Sequence, residues 1–144
     1  MTNSRRARSK SPSNDVAQLA LVDTSAWIAF FRGDEPVAGL VDRALADGAA
    51  ALCGVVELEL REGLKLDERS HVLPLLGAAT RIPIAEDDWA QAGDLLADLR
   101  RQGVTVPSTD GLIAHLALRH KVPLLENDAH FRHFPGLSRP RQDG

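Results

Sequence analysis

The 144 residues contain a single cysteine, Cys53, and no tyrosine. One cysteine excludes an intramolecular disulfide framework and a cysteine-based zinc site. Aromatic residues make up 4% of the chain, two Trp and four Phe. That is too few for the platforms on which single-strand binding modules stack bases. No apolar run approaches the ~18–20 residues of a membrane span, because the most apolar stretch, Leu19 to Phe31, is broken by Asp23, Thr24 and Ser25. The basic start of the chain is not followed directly by an apolar segment, as a secretory leader requires. Gly-x-Gly-x-x-Gly and Walker patterns are both missing, so no glycine loop is expected to cradle phosphates. These absences predict a cytoplasmic protein with no membrane contact.

The composition that remains, 44% hydrophobic and 26% charged, is that of a globular chain long enough for one domain with its own core. The charge is unevenly placed. Arg5, Arg6, Arg8 and Lys10 fall in the first fourteen positions, which hold no acid, so the rest of the chain carries 13 basic residues against 20 acidic ones. A body this acidic does not bind nucleic acid by bulk positive charge. Residues 1–17 read as a disordered basic tail, rich in Ser and Arg, residues 18–140 as one domain, and residues 141–144 as a C-terminal tail.

Within the body, short apolar runs alternate with helical patterns. Strands are expected at Leu19–Val22, Ala49–Cys53, Arg81–Ile84 and Val122–Leu125. Pro83 marks the third of these as an edge. Helices are expected at Ser25–Phe31 and Glu35–Asp47, stopped by Gly33 and Gly48, then at Val55–Leu66, His71–Ala79 and Glu86–Arg101. The Glu86–Arg101 helix carries Trp89, Ala92, Leu96 and Leu99 on one stripe. Ser108 is expected to cap a last helix that runs to about His120. Strands separated by helices imply βαβ crossovers, and hence an α/β fold of three layers, α/β/α, around a mainly parallel central sheet. Ligands in such sheets bind beyond the carboxyl ends of the strands.

Three acids stand at that edge. Asp23 follows the first strand, Asp128 follows the last with Asn127 between, and Asp110 opens the helix after Pro107. Each alone is explained as a helix cap or a first-turn acid; three together are not. The helix after the second strand offers a fourth. At ~100° per residue Glu59 falls within the apolar arc that holds Val56 and Leu60, whereas Glu57 lies on the polar border, where it can pair with Arg61. Glu62 also points inward but stands a turn further from the strand end. Carboxylates without a Cys/His cluster suit a hard cation, Mg²⁺ or Mn²⁺, and two such ions would suit phosphodiester hydrolysis.

These segments carry a resemblance. Leu21-Val22-Asp23-Thr24-Ser25-Ala26-Trp27-Ile28 resembles the opening of PIN-domain ribonucleases, in particular the VapC toxins of bacterial VapBC toxin–antitoxin pairs. Glu59-Leu60-Arg61-Glu62-Gly63, Thr109-Asp110-Gly111-Leu112-Ile113-Ala114 and Leu124-Leu125-Glu126-Asn127-Asp128-Ala129-His130-Phe131 resemble the family's later motifs, in its order and spacing. The resemblance implies a PIN-like domain and a metal-dependent endoribonuclease acting as the toxin of a type II pair. It implies Mg²⁺ as cofactor, with Mn²⁺ substituting, and an RNA substrate cut to leave a 5′-phosphate and a 3′-hydroxyl. The partners it implies are a VapB-like antitoxin and further copies of the chain, as a homodimer and in toxin–antitoxin hetero-oligomers. By the same resemblance Asp23, Glu59, Asp110 and Asp128 are the catalytic and metal-holding acids, supported by Thr24, Ser25 and Asn127. Glu126 departs from the family, which often has Thr there. An Asp-dependent phosphatase or phosphotransferase is the alternative enzyme, but Asp23 is followed by Thr24-Ser25-Ala26 without the second acid such enzymes need. A non-catalytic partner-binding module of PIN type is the other alternative, which an incomplete acidic quartet would favour.

His130 and His133 have the H-x-x-H spacing of a zinc pair but lack further N or S ligands nearby. His115 is expected to be a satisfied core histidine and Cys53 an inert buried thiol. Trp27, Phe30 and Phe31, just after the first strand, are either core or a patch for a partner.

Overall fold

The first strand, β1 (Ala20–Val22), is apolar throughout and buried on both faces, as is β2 (Ala50–Leu52). That burial is what a parallel strand covered by helices on two sides requires. In the computed structural model, which describes residues 18–140, β1 pairs in parallel with β2 on one side and with β4 (Leu124–Leu125) on the other. The third strand, β3 (Thr80–Arg81), pairs in parallel with β2, so the sheet order is β3-β2-β1-β4. The expected tails, 1–17 and 141–144, lie outside the described residues.

The helices follow as the crossovers demand. α1 (Thr24–Arg32) and α2 (Val37–Ala46) link β1 to β2 and pack on each other. Gly33 and Gly48 stop them in the left-handed region, at φ 75° and 67°, where a side chain is strained. α3 (Gly54–Gly63) and α4 (Arg69–Ala78) link β2 to β3, and α5 (Glu86–Arg101) and α6 (Ser108–Arg119) link β3 to β4. The strand order advances from β1 to β3 and then reverses to β4. Right-handed crossovers therefore place the helices on both faces, the three-layer α/β/α arrangement expected. The core runs through Leu21, Val22, Trp27, Leu52, Val56, Ile113, Leu116 and Phe131.

The structure corrects the sequence reading in several places, among them the last strand, which covers Leu124–Leu125 and not Val122–Leu125. The third strand covers Thr80–Arg81 and not Arg81–Ile84, since Ile82 makes the last ladder bond, 2.9 Å to the Leu52 carbonyl, and Pro83 has no N–H to continue. The helix expected from Val55 to Leu66 ends at Gly63, and a separate 3₁₀ turn spans Leu66–Glu68. Ser108 is the first residue of α6 and does not cap it; Pro107 holds the cap position without a side-chain bond. Trp89, expected on the apolar stripe of α5, is 55% exposed, while Asp88 beside it is fully buried.

Asp88 shows why the stripe is rotated. Its carboxylate accepts from the Ala85 amide at 2.7 Å and from the Arg119 guanidinium at 2.6 and 2.8 Å, and lies 2.8 Å from His115 Nε2. The ion pair ties the start of α5 to the end of α6, and it makes His115 the satisfied interior histidine expected. Burial alone would raise the Asp88 carboxyl. The Arg119, Ala85 and His115 bonds outweigh it and hold the group down at about 2. A depressed acid contributes stability that is present above its ordinary value and lost as pH falls through the folded value. Asp88→Asn should therefore lower stability near neutral pH by roughly 2–4 kcal/mol, the lower range for removing one partner of a buried ion pair because Arg119 is partly exposed. The gap between variant and wild type should close between pH about 4 and 2, read as thermal midpoints across that range.

Candidate active site

All four strands point the same way, so their carboxyl ends share one edge, and β1 lies where the strand order reverses. A crevice opens at such a reversal because the connections leave in opposite directions. Asp23 leaves β1 into that crevice and Asp128 follows β4 on its other side.

Asp23 is the N-cap of α1 and is 3% exposed. Its Oδ2 accepts from the Ser25 amide at 3.0 Å and the Ser25 hydroxyl at 2.5 Å. Ser25 Oγ in turn accepts the Asn127 amide, at 2.8 Å, so one hydroxyl joins the loops after β1 and β4. Asn127 thus contributes through its backbone. The neighbouring hydroxyl, Thr24 Oγ1, donates to Glu59 Oε1 at 2.6 Å and draws α3 to the same crevice. Glu57 instead pairs with Arg61 at 2.9 Å and Arg81 at 2.6 Å, as the helix phase predicts for Arg61. Glu62 is exposed, against its expected inward position, one residue before α3 ends.

Asp110 stands in the first turn of α6, where its own amide bonds the Pro107 carbonyl. The helix is held close to α5 there: a Cβ on Gly111 would meet the Leu96 side chain at 2.5 Å. Asp128 caps a 3₁₀ turn, Ala129–His133, and accepts from the His130 amide at 2.9 Å. The turn brings His130 Nδ1 to 3.2 Å from Asp110 Oδ2 and 3.1 Å from Asp128 Oδ1. His130 is the residue of this cluster that sequence reasoning did not place. It was paired there with His133, which is not part of the group. The usable signal was Asp128 two positions earlier, since a capping Asp bonds the amide two residues on and folds that residue back over the cap.

The electrostatics tie the two halves together. Burial pushes the Asp23 carboxyl up to about 6, against the Ser25 bonds, and the Asp110 charge adds to the rise. Asp110 is raised as well, by burial first and then by Asp128 and Glu59, with His130 opposing. Asp110 therefore feels the charges of Asp128 and Glu59, and its own charge reaches Asp23. Asp110, Asp128 and His130 bring one ligand atom each within 4.8 Å of the others, an oxygen-rich donor set that fits a divalent cation of the Mg²⁺ or Mn²⁺ kind.

A family model described as PIN domain matches residues 20–137. The chain belongs to the PIN-domain family. Curated relatives include VapC ribonuclease Mb1587 of Mycobacterium bovis and ribonuclease VapC11 of Mycobacterium tuberculosis. Each is 35% identical over 125 residues, spanning 78% of this chain and 89% of the relative. Among solved structures, VapBC2 from Rickettsia felis bound to a promoter DNA fragment superposes with a TM-score of 0.70 at 20% identity, over 85% of this chain and 98% of that one. VapC20 of Mycobacterium tuberculosis, described as a sarcin-ricin loop cleaving toxin, gives 0.59 at 18% identity, over 85% and 98%. These two share the PIN fold.

Two further features of this PIN domain adjoin the acids. Glu126, where the family often has Thr, turns its carboxylate inward: Oε1 accepts the Asp128 amide at 3.0 Å. Oε2 lies 2.6 Å from the Arg139 guanidinium, out of line for a hydrogen bond but close enough to balance the charge. On the α3 side, a cleft of about 710 Å³ runs from Thr24 and Glu59 past Ile28, Phe31, Leu60 and Val72. Trp27 is fully buried, and Phe31 stacks on it at 6.0 Å with 39% of its surface exposed. Of the aromatic trio, Trp27 is core and Phe31 presents the apolar surface, together with Ile28. Among the described residues no helix is long and apolar enough to cross a membrane.

An acid raised by burial favours the fold when protonated. Its favourable contribution is present below the ordinary value and lost as pH rises through the folded value. Metal-free protein should therefore lose stability as pH rises from about 4 through about 6. Asp23→Asn should flatten that loss. The check is a series of thermal midpoints in EDTA over this range for both proteins.

Proposed function

We propose that this chain is a metal-dependent endoribonuclease and the toxin of a VapBC-type pair. The observation that carries the reading is the convergence of Asp23, Glu59, Asp110 and Asp128 at the reversal point of a PIN fold whose curated relatives are VapC ribonucleases. Divalent ions bound there, Mg²⁺ or Mn²⁺, would supply positive charge that acidifies water and offsets charge on the phosphodiester. The chain's own residues prepare the place. Asp23, Asp110 and Asp128 hold the cation, and Glu59 adds a fourth carboxylate from the α3 side. The Thr24 and Ser25 hydroxyls fix Glu59 and Asp23 in orientation before any ligand arrives. The field of the acids repels RNA until cations reverse it, which reconciles an acidic body with a nucleic-acid substrate.

The partner is a VapB-like antitoxin, and copies of the chain assemble with each other and with it. The apolar cleft beginning at Thr24 and Glu59 supports that reading, because a segment lying on Ile28 and Phe31 would reach the acids.

Purified protein should cleave RNA with Mg²⁺ or Mn²⁺ and stop with EDTA. Glu59→Gln should reduce cleavage by roughly two orders of magnitude, while Glu57→Gln, which loses two exposed ion pairs, should leave it nearly intact. Cleavage that survives exhaustive chelation would falsify the metal mechanism. Expression without a partner should arrest growth, and Asp110→Asn should relieve the arrest. Normal growth with soluble, active wild-type protein in the cells would exclude the toxin role.

A further inference from the structure

The donor set of the site is not all oxygen. His130 Nδ1 lies 3.2 Å from Asp110 Oδ2 and 3.1 Å from Asp128 Oδ1, and one donor atom from each of the three residues lies within 4.8 Å of the other two. An octahedral ion with ligands at about 2.1 Å separates neighbouring ligand atoms by about 3.0 Å. The spacing therefore suits one edge of a coordination shell as well as it suits a hydrogen bond.

The backbone also defines where the ring sits. The His130 amide is bonded to Asp128, the Asp128 amide to Glu126, and Phe131, the next residue, is buried in the core. A capped turn anchored on both sides thus sets the backbone position from which the imidazole reaches the two carboxylates. The ring nitrogen thus stands in contact with both carboxylates. It either donates its N–H to the two carboxylates in the cation's place or it binds the cation alongside them.

We propose that His130 Nδ1 is a further protein ligand of the cation, beside the carboxylates of Asp110 and Asp128, and that the site on this account binds Mn²⁺ in preference to Mg²⁺. The proposal rests on the metal-dependent nuclease reading and deepens it. An imidazole nitrogen suits the borderline first-row ions, whereas Mg²⁺ favours oxygen and gives up water reluctantly. A purely carboxylate cage would discriminate little between the two. The nitrogen donor supplies the difference.

The test uses the full chain without partner, loaded with Mn²⁺ alone. Electron spin-echo modulation should show coupling to the ¹⁴N of a coordinated imidazole in wild type, and the coupling should vanish in His130→Gln. His130 has about half of its side chain in solvent, so the variant should fold, checked by its thermal midpoint in EDTA. Competition titrations should show Mn²⁺ affinity falling about tenfold in the variant while Mg²⁺ affinity changes by less than about twofold. Bound Mn²⁺ without nitrogen coupling, coupling that persists in His130→Gln, or equal loss for the two ions would each overturn the assignment. RNA cleavage measured on the same samples separates the two readings. Cleavage without nitrogen coupling overturns only the His130 ligand, and nitrogen coupling without cleavage overturns only the nuclease. A protein that binds no Mn²⁺ overturns both.

Discussion

The parallel pairing of β1 with β2 on one side and β4 on the other governs everything at the site. Because the strands run together, the loops leaving β1 and β4 emerge side by side, and because the strand order reverses at β1, the helices that follow diverge and leave a crevice. Asp23 and Asp128 stand in it by construction. α6 packs on α5 at both ends, through Gly111 against Leu96 near its start and the Asp88–Arg119 pair at its finish, with Asp110 in its first turn. An antiparallel β4 would have sent Asp128 to the opposite end of the sheet.

Gathering carboxylates in this way is unfavourable, and the chain offsets the cost locally with neutral and weakly basic groups. Ser25 donates twice to Asp23, Thr24 donates to Glu59, and His130 faces Asp110 and Asp128. No Lys or Arg side chain forms an ion pair with any of the four acids among the described residues; the arginines at hand are taken by Asp88, Glu57, Asp98 and Glu126. The contrast between Asp23 and Asp88 is instructive. Both are buried, yet a guanidinium holds Asp88 low while Asp23, with hydroxyl and amide donors only, rises to about 6. A buried acid with an arginine is a structural tie. A buried acid left without one keeps its capacity for an added cation.

Much of this was readable in the linear chain. Apolar runs ending directly before Asp23 and, with Glu126 and Asn127 between, before Asp128 gave away the strand ends, and the order of the four motifs matched the PIN resemblance that the family match then established. The helical phase separated Glu59 from Glu57, since the 3.6-residue period turns one toward the sheet and the other toward Arg61. One reading failed where a remote partner outweighed local pattern. Trp89 satisfies the apolar stripe of α5, but Asp88 takes the interior because Arg119, thirty-one residues away, neutralises it there. Pro83 cut β3 short by removing a donor.

Sequence by itself determined the identity of the chemistry: which residues are acids, that Asp23 directly follows an apolar run, and that Thr24 and Ser25 stand beside it. Those are facts of local order, set by periodicity and by side-chain type. Tertiary structure decided which atoms meet. Only the packed sheet joins Ser25 to Asn127 across 102 positions and Thr24 to Glu59 across 35, and only the capped turn after β4 swings His130 against Asp110. Such contacts depend on how strands register and how a turn closes, and those are settled by the burial of residues far apart in the chain.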